Sequence, residues 1–169
     1  VVSSIPVMLV GFFLIKFDLI ESLRNPEIIG WTTLIFGILL YISDKSTLEK
    51  KINNNFTFKT AIFIGISQIL SLIPGVSRSG ISITAARMLK FKRIDSAKIS
   101  FLLSIPTLAA VTIFGFKNLI LSENFNITIL NVLSILLSYF FSYITIKFFL
   151  NYIHKFSLTL FVIYRIMLG

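Results

Sequence analysis

The stretch Pro74-Gly75-Val76-Ser77-Arg78-Ser79-Gly80 sets one guanidinium and two hydroxyls between a helix-breaking Pro-Gly pair and a loop-permissive glycine. Apolar residues flank it at 60–73 and 81–89. A charged side chain at membrane depth is expensive and marks a ligand site or a partner. Irregular backbone is tolerated there only where it is buried in protein or lines a cavity. The chemistry that suits these groups is anion binding. Arg78 offers a bidentate fork to phosphate oxygens. Ser79 is placed to cap a helix beginning near Ile81. The backbone of Gly75 and Gly80 would present N–H groups, and the positive end of a helix dipole, to the same anion.

Gly75 to Gly80 matches the opening of a nucleotide-binding P-loop, but Ile81-Ser82 stands where that motif requires Lys-Ser or Lys-Thr. A mononucleotide reading therefore fails while the anion logic survives. The bland alternative pairs Arg78 with a carboxylate or with carbonyls, the serines bonding back to their own helices. Against it, the apolar stretches contain no acid. Gln68 lies in the apolar stretch before the loop, where a polar amide needs a partner; it orients the loop, touches the ligand or, equally well by spacing, is a helix-packing amide. Ser67 and Ser71 read as small packing residues.

Positioning these groups requires a membrane protein. Hydrophobic residues make up 56% of the 169 and charged residues only 14%, and mean hydropathy is +0.92. A water-soluble domain needs a larger charged shell. The net charge of +9 gathers in loops between spans and forms no basic stripe, so topology explains it better than nucleic acid does. Zero cysteines exclude thiolate metal sites and disulfides. Aside from His154 in a basic loop, no histidine is present, and no carboxylate or histidine constellation offers a general base or a metal site. The chain starts apolar at Val1 with no initiator methionine and no signal-peptide pattern, which reads as a fragment cut near the beginning of a span.

The expected fold is an all-α integral membrane protein, with about five transmembrane helices and one re-entrant helical hairpin. One membrane domain, 1–169, divides into two spans in 1–43, a cytoplasmic linker at 44–59, the hairpin at 60–89 and C-terminal spans in 99–168. The spans are placed at 1–15, 28–43, 99–116 (interrupted by Pro106), 127–150 and 156–168. Residues 60–73 cover only about 21 Å as a helix, short of a ~30 Å hydrocarbon core. They cannot cross alone, so with 81–89 they form the hairpin.

Charge supports this layout, because short cytoplasmic loops collect lysine and arginine. The linker carries Lys45, Lys50, Lys51 and Lys59 against Asp44 and Glu49. Segment 87–98 carries five basic residues against Asp95, and 147–155 adds Lys147 and Lys155. Loop 16–27 is slightly acidic and 117–123 neutral. Both hairpin ends are thus basic and cytoplasmic, with the tip at Ser77-Arg78 buried and reached from the outer face. Arg87 and Arg93 read as solvated or headgroup-facing, and Arg165, in the short last span, as snorkelling.

Gly65-Ile-Ser-Gln68-Ile-Leu-Ser-Leu-Ile-Pro74-Gly-Val-Ser77-Arg78-Ser79-Gly80, followed by Phe101-Leu-Leu-Ser-Ile-Pro106, closely resembles the bacitracin-resistance type of undecaprenyl-diphosphate phosphatase. The likeness extends from Ile5-Pro6 to Ile163-Tyr164-Arg165. It implies an inner-membrane enzyme that hydrolyses undecaprenyl diphosphate to the monophosphate, recycling the lipid carrier for cell-wall synthesis, with an active site facing the periplasm. It implies an inverted repeat with two re-entrant hairpins, of which 60–89 would be the second. Arg78 and Ser77 become the catalytic candidates, Arg78 binding the diphosphate and Ser77 positioning or attacking it. Gly75, Ser79, Gly80, Ser82 and Gln68 become the substrate-binding candidates. Many members have threonine at Ser82, and serine keeps the hydroxyl. The family's glutamate-rich first hairpin, with its Pro-Val-Ser-Ser-Thr-Gly-His-like turn, has no counterpart here. The chain is therefore expected to lack the N-terminal part and to supply a diphosphate-binding half-site, inactive alone. A divalent metal, Mg or Ca, is expected with ligands outside this chain. The partners are the lipid substrate and the bilayer, with no nucleic acid; a homo-oligomer stays open. The rival reading is a transporter or lipid flippase, since broken helices also build solute sites in carriers.

Overall fold

A computed structural model of the protein describes residues 2–17, 24–45, 50–121 and 129–169. Those residues contain eight α-helices and no extended strand: α1 Ile5–Lys16, α2 Pro26–Asp44, α3 Ile52–Asn55, α4 Phe58–Ile69, α5 Arg78–Met88, α6 Arg93–Leu121, α7 Ile129–Lys155 and α8 Thr159–Leu168. Parts of the expected loops 16–27 and 117–123 and of the linker, at 18–23, 122–123 and 46–49, lie outside the described residues.

Among the described residues, three helices are long and apolar enough to cross a membrane: α2, α6 and α7. This is an all-α membrane protein. α6 begins six residues before the expected span and α7 ends five residues beyond it. The remaining expected spans correspond to α1 and α8, which at 12 and 10 residues reach about 18 and 15 Å. Pro106 lies inside α6 without ending it. Its neighbours Ser104 and Thr107 bond back to carbonyls of the preceding turn.

Local sequence sets the ends of the short helices. Asn25 caps α2 by accepting from the Glu27 N–H, with Pro26 at the first helical position. Thr57 and Thr60 form a reciprocal capping box at the start of α4. α5 ends in a Schellman motif: the Phe91 N–H bonds the Ala86 carbonyl at 3.1 Å and the Lys90 N–H bonds that of Arg87 at 2.8 Å. Lys90 holds the left-handed position at φ 70°, where glycine is usual.

α4 and α5 pack antiparallel as a helical hairpin, with a 3-10 turn at Leu70–Leu72 before the loop. α5 is the hub. It contacts α2, α4 and α6, and every residue from Ile81 to Arg87 is buried. Its small residues Ser82, Thr84, Ala85 and Ala86 let three helices approach closely. α8 packs on α2, and α1 on α4. One core cluster joins Leu40, Ile83, Ala97, Ile153, Leu158 and Val162; a second joins Ile64, Ala85, Ala86, Phe91, Ile99 and Leu103.

The basic end of the hairpin is tied down rather than solvated. Arg87 is 1% exposed. Its Nη1 donates to the Phe91 carbonyl at 2.7 Å and its Nη2 to the Asp44 carbonyl at 2.9 Å. Arg93 Nε donates to Asp44 Oδ1 at 2.7 Å, and Asp44 Oδ2 accepts the Leu158 N–H at 3.2 Å. This corrects the reading of both arginines as solvated or headgroup-facing. Asp44, assigned to an open linker, is instead the buried last residue of α2. The linker also returns to the body: Lys50 bridges Phe91, and Asp95 accepts the Ile52 N–H.

Candidate active site

The loop 74–77 is bent by Gly75 at φ +87°, a conformation L side chains avoid. A Cβ there would also strike Thr32 and lie 2.6 Å from the Ile29 carbonyl oxygen. Neighbouring helices bind the loop's carbonyls. Thr32 Oγ1 donates to the Pro74 carbonyl at 2.7 Å, Thr33 Oγ1 to that of Gly75 at 3.2 Å, and Arg165 Nη2 to the same Gly75 oxygen at 2.8 Å.

Ser77, not Ser79, caps the helix that follows. Its backbone is extended at φ −66°, ψ 125°, its Oγ accepts the Gly80 N–H at 3.2 Å, and α5 starts at Arg78, three residues before the expected position. Either serine satisfies the capping preference by residue type; the extended backbone at Ser77 decides between them. Ser79 Oγ lies 3.2 Å from Ser77 Oγ, and both serines are exposed. The first-turn N–H groups of Arg78 and Ser79 have no acceptor within their own helix.

Two guanidiniums flank this helix end. Arg78 Nη1 donates to Thr107 Oγ1 at 3.0 Å, on α6. Arg165 approaches from α8 and is 8% exposed. A Cβ on Gly80 would lie 2.7 Å from Arg165 Nη1, so the glycine makes room for that charge. Arg165 is thus part of the loop assembly, which corrects the snorkelling reading. Its partner Gly75 is 90 residues away in the chain, and its own helix is too short to signal a fixed depth. The family likeness at Ile163-Tyr164-Arg165 was the one sequence signal for it. Among the described residues, the ion pairs belong to Asp44, and neither Arg78 nor Arg165 has a carboxylate partner.

A cavity of about 490 Å³ opens beside the loop, in the range of small-molecule sites. Gly75, Ser77, Ser79, Gly80, Thr33 and Arg165 form its polar side. Leu40, Ile83, Phe149, Leu158 and Phe161 form much of the rest. Of the candidates read from sequence, Gly75, Ser77, Ser79 and Gly80 thus share the cavity. Arg78 stands at its margin, turned to α6.

Gln68 and Ser82 lie behind the loop, not on the cavity. Gln68 Nε2 donates to Ser82 Oγ at 3.1 Å, and Ser82 Oγ donates to the Arg78 carbonyl at 2.9 Å. Gln68 Oε1 is buried without a hydrogen-bond partner among the described residues. The pair props the first turn of α5 and does not line this cavity. The expected divalent cation does not fit this donor set. Mg²⁺ and Ca²⁺ seek several oxygens with carboxylates among them, whereas the described residues place two guanidiniums and two serine hydroxyls here. No group of three His, Asp or Glu residues suited to a metal occurs among them.

With this geometry in place, comparison with known proteins is decisive for ancestry. A family model described as "Bacitracin resistance protein BacA" matches residues 1–169. The chain belongs to the BacA family. A protein named "Undecaprenyl-diphosphatase" from Pelagibacter ubique (strain HTCC1062) is 53% identical over 170 residues, covering 100% of this chain and 66% of that protein. One of the same name from Teredinibacter turnerae (strain ATCC 39867 / T7901) is 43% identical, with 64% of its length covered. Another from Elusimicrobium minutum (strain Pei191) is 39% identical, with 63% covered. The chain thus spans just under two thirds of the length of these relatives. Membership in this family and the long apolar helices together make it a multi-pass membrane protein.

Proposed function

We propose that the protein to which this chain belongs hydrolyses undecaprenyl diphosphate to undecaprenyl phosphate and inorganic phosphate at the outer face of the bacterial inner membrane. The observation that carries the reading is a pair of arginines, without carboxylate partners among the described residues, on either side of a capped helix N-terminus. Lone buried cations are costly, and a diphosphate supplies the matching negative charge.

Cleavage of a phosphoanhydride is mostly a matter of positioning and of stabilising charge on the transferring phosphoryl group. The N–H groups of Arg78 and Ser79 meet the phosphate oxygens at the helix end. Arg165 holds one side of the diphosphate from its fixed place against Gly75. Arg78, held only by the neutral hydroxyl of Thr107, turns to the other side when the anion arrives. Ser77 Oγ already accepts the Gly80 N–H and meets Ser79, and no histidine or carboxylate among the described residues bonds it. Its role is therefore to position the helix end and the substrate. The divalent metal expected of the family finds no ligand set among these residues, and no step here is assigned to it. The basic residues near both ends of the hairpin support a reading of 60–89 as a re-entrant element that opens outward.

Phosphate release from farnesyl or undecaprenyl diphosphate by the full-length protein in detergent tests the proposal. Release that falls at least about 100-fold in Arg78→Ala supports it. Absence of release, together with movement of the lipid across liposomes, replaces it with the carrier reading.

A further inference from the structure

The cavity beside the loop has two chemically different ends, and binding of phosphate uses only one. Beyond the polar side, Val76, Tyr164 and Leu168 line it near the loop and Arg165, and its remaining walls are Leu40, Ile83, Phe149, Leu158 and Phe161. None of these five carries a polar group. Leu40 lies seven residues past Thr33 on α2, about 10 Å along the axis, so the apolar end sits deeper, toward Asp44. α8 gives the same direction: it starts beside Leu158, whose N–H bonds Asp44, and rises to Arg165 at the loop. The deep walls are firm. Leu40, Ile83 and Leu158 belong to one buried core cluster, and the rings of Phe149 and Phe161 meet edge to face at 5.0 Å.

We infer that this apolar end seats the first two isoprene units of the lipid diphosphate, with the chain directed inward from Arg165 between α2 and α8. The inference rests on the isoprenyl-diphosphate reading above. A ligand whose anionic head joins directly to an apolar chain complements a cavity charged at one end and dry at the other. A water-soluble diphosphate would leave the dry end unfilled. The depth of about 10 Å accommodates two units at ~5 Å each, from ordinary carbon–carbon bond lengths. Phe149 and Phe161 are then specificity-determining: they touch the second unit, and Leu40 closes the far end.

Full-length protein in detergent is assayed for phosphate release from isopentenyl, geranyl and farnesyl diphosphate, which carry one, two and three units. Burial of a second unit predicts that kcat/KM rises at least about tenfold from one unit to two. From two to three it rises less than about threefold, because the third unit passes beyond the seat. Phe161→Ala and Leu40→Phe each lower the two-unit to one-unit ratio by about tenfold. Because Leu40 is a core residue, photolabelling supplies an independent measurement. A farnesyl diphosphate analogue with a diazirine on its second unit should mark Phe149 or the peptide of α8. Efficiency that ignores chain length, or adducts confined to other helices because another segment fills the cavity, overturns the inference. Absence of release from all three substrates removes the phosphatase reading instead, and the photolabel position then decides the seat by itself.

Discussion

The two ends of α5 each hold an arginine cluster, and they are built on opposite principles. At its C-terminal end, Arg87 and Arg93 converge on one carboxylate, Asp44, which also receives the Leu158 N–H. At its N-terminal end, Arg78 and Arg165 reach, among the described residues, neutral acceptors, a threonine hydroxyl and a glycine carbonyl. A carboxylate at the C-terminus of α2 sits unfavourably at the negative end of the helix dipole, so the two cations compensate the helix end as well as the carboxylate. The first cluster is closed by the protein's own charge. The second has no carboxylate among the described residues, the arrangement expected where a ligand supplies the negative charge.

The strongest way to break this comparison is Asp44→Ala. It strands the buried Arg87 and is expected to cost about 3–5 kcal/mol, read as a large fall in the thermal midpoint of the detergent-solubilised protein. Changing Asp44 and Arg87 together to leucine and methionine should recover most of that loss, since the stranded charge disappears with its partner.

Next in size, Arg165→Ala should cost roughly 100-fold in kcat/KM, about 3 kcal/mol of transition-state stabilisation, with the thermal midpoint unchanged or raised. A midpoint that drops as far as in Asp44→Ala would make the two clusters alike and sink the distinction. A smaller effect sharpens it: Thr107→Val unpins Arg78 and should lower kcat/KM by roughly fivefold, about 1 kcal/mol, without loss of stability. Smallest is Lys90→Gly, just past the C-terminal end of α5. By relieving the left-handed backbone it should stabilise the protein by about 0.5–1 kcal/mol and leave kinetics untouched.

The hairpin and its loop were legible in the sequence because the signals are local. Two apolar stretches too short to span, a Pro-Gly break and an arginine sit within 30 residues, and the structure answers with α4, α5 and a bent Gly75. The capping serine was misplaced by two positions, since Ser77 and Ser79 are equally suited by type and only backbone geometry separates them. Asp44 and Arg165 were misread for a different reason. Each is defined by partners 43 or more residues distant, Arg87 and Leu158 for one and Gly75 for the other. Composition rules that assign a basic residue near a span end to solvent or headgroups take no account of such pairings. Gln68 is legible as a polar group in need of a partner, and Ser82 supplies one. Their facing, toward the Arg78 carbonyl rather than the cavity, depends on how α4 rotates against α5.

The bonds from Thr32, Thr33 and Arg165 occupy the Pro74 and Gly75 carbonyls, so the loop's oxygens are already matched by donors of the fold. An arriving anion therefore meets hydrogen-bond donors already oriented and need not expel a carbonyl first. That lowers the reorganisation energy of capture and makes the loop's discrimination one of sign: a cation entering the same space would find the polarity wrong before it touched a side chain.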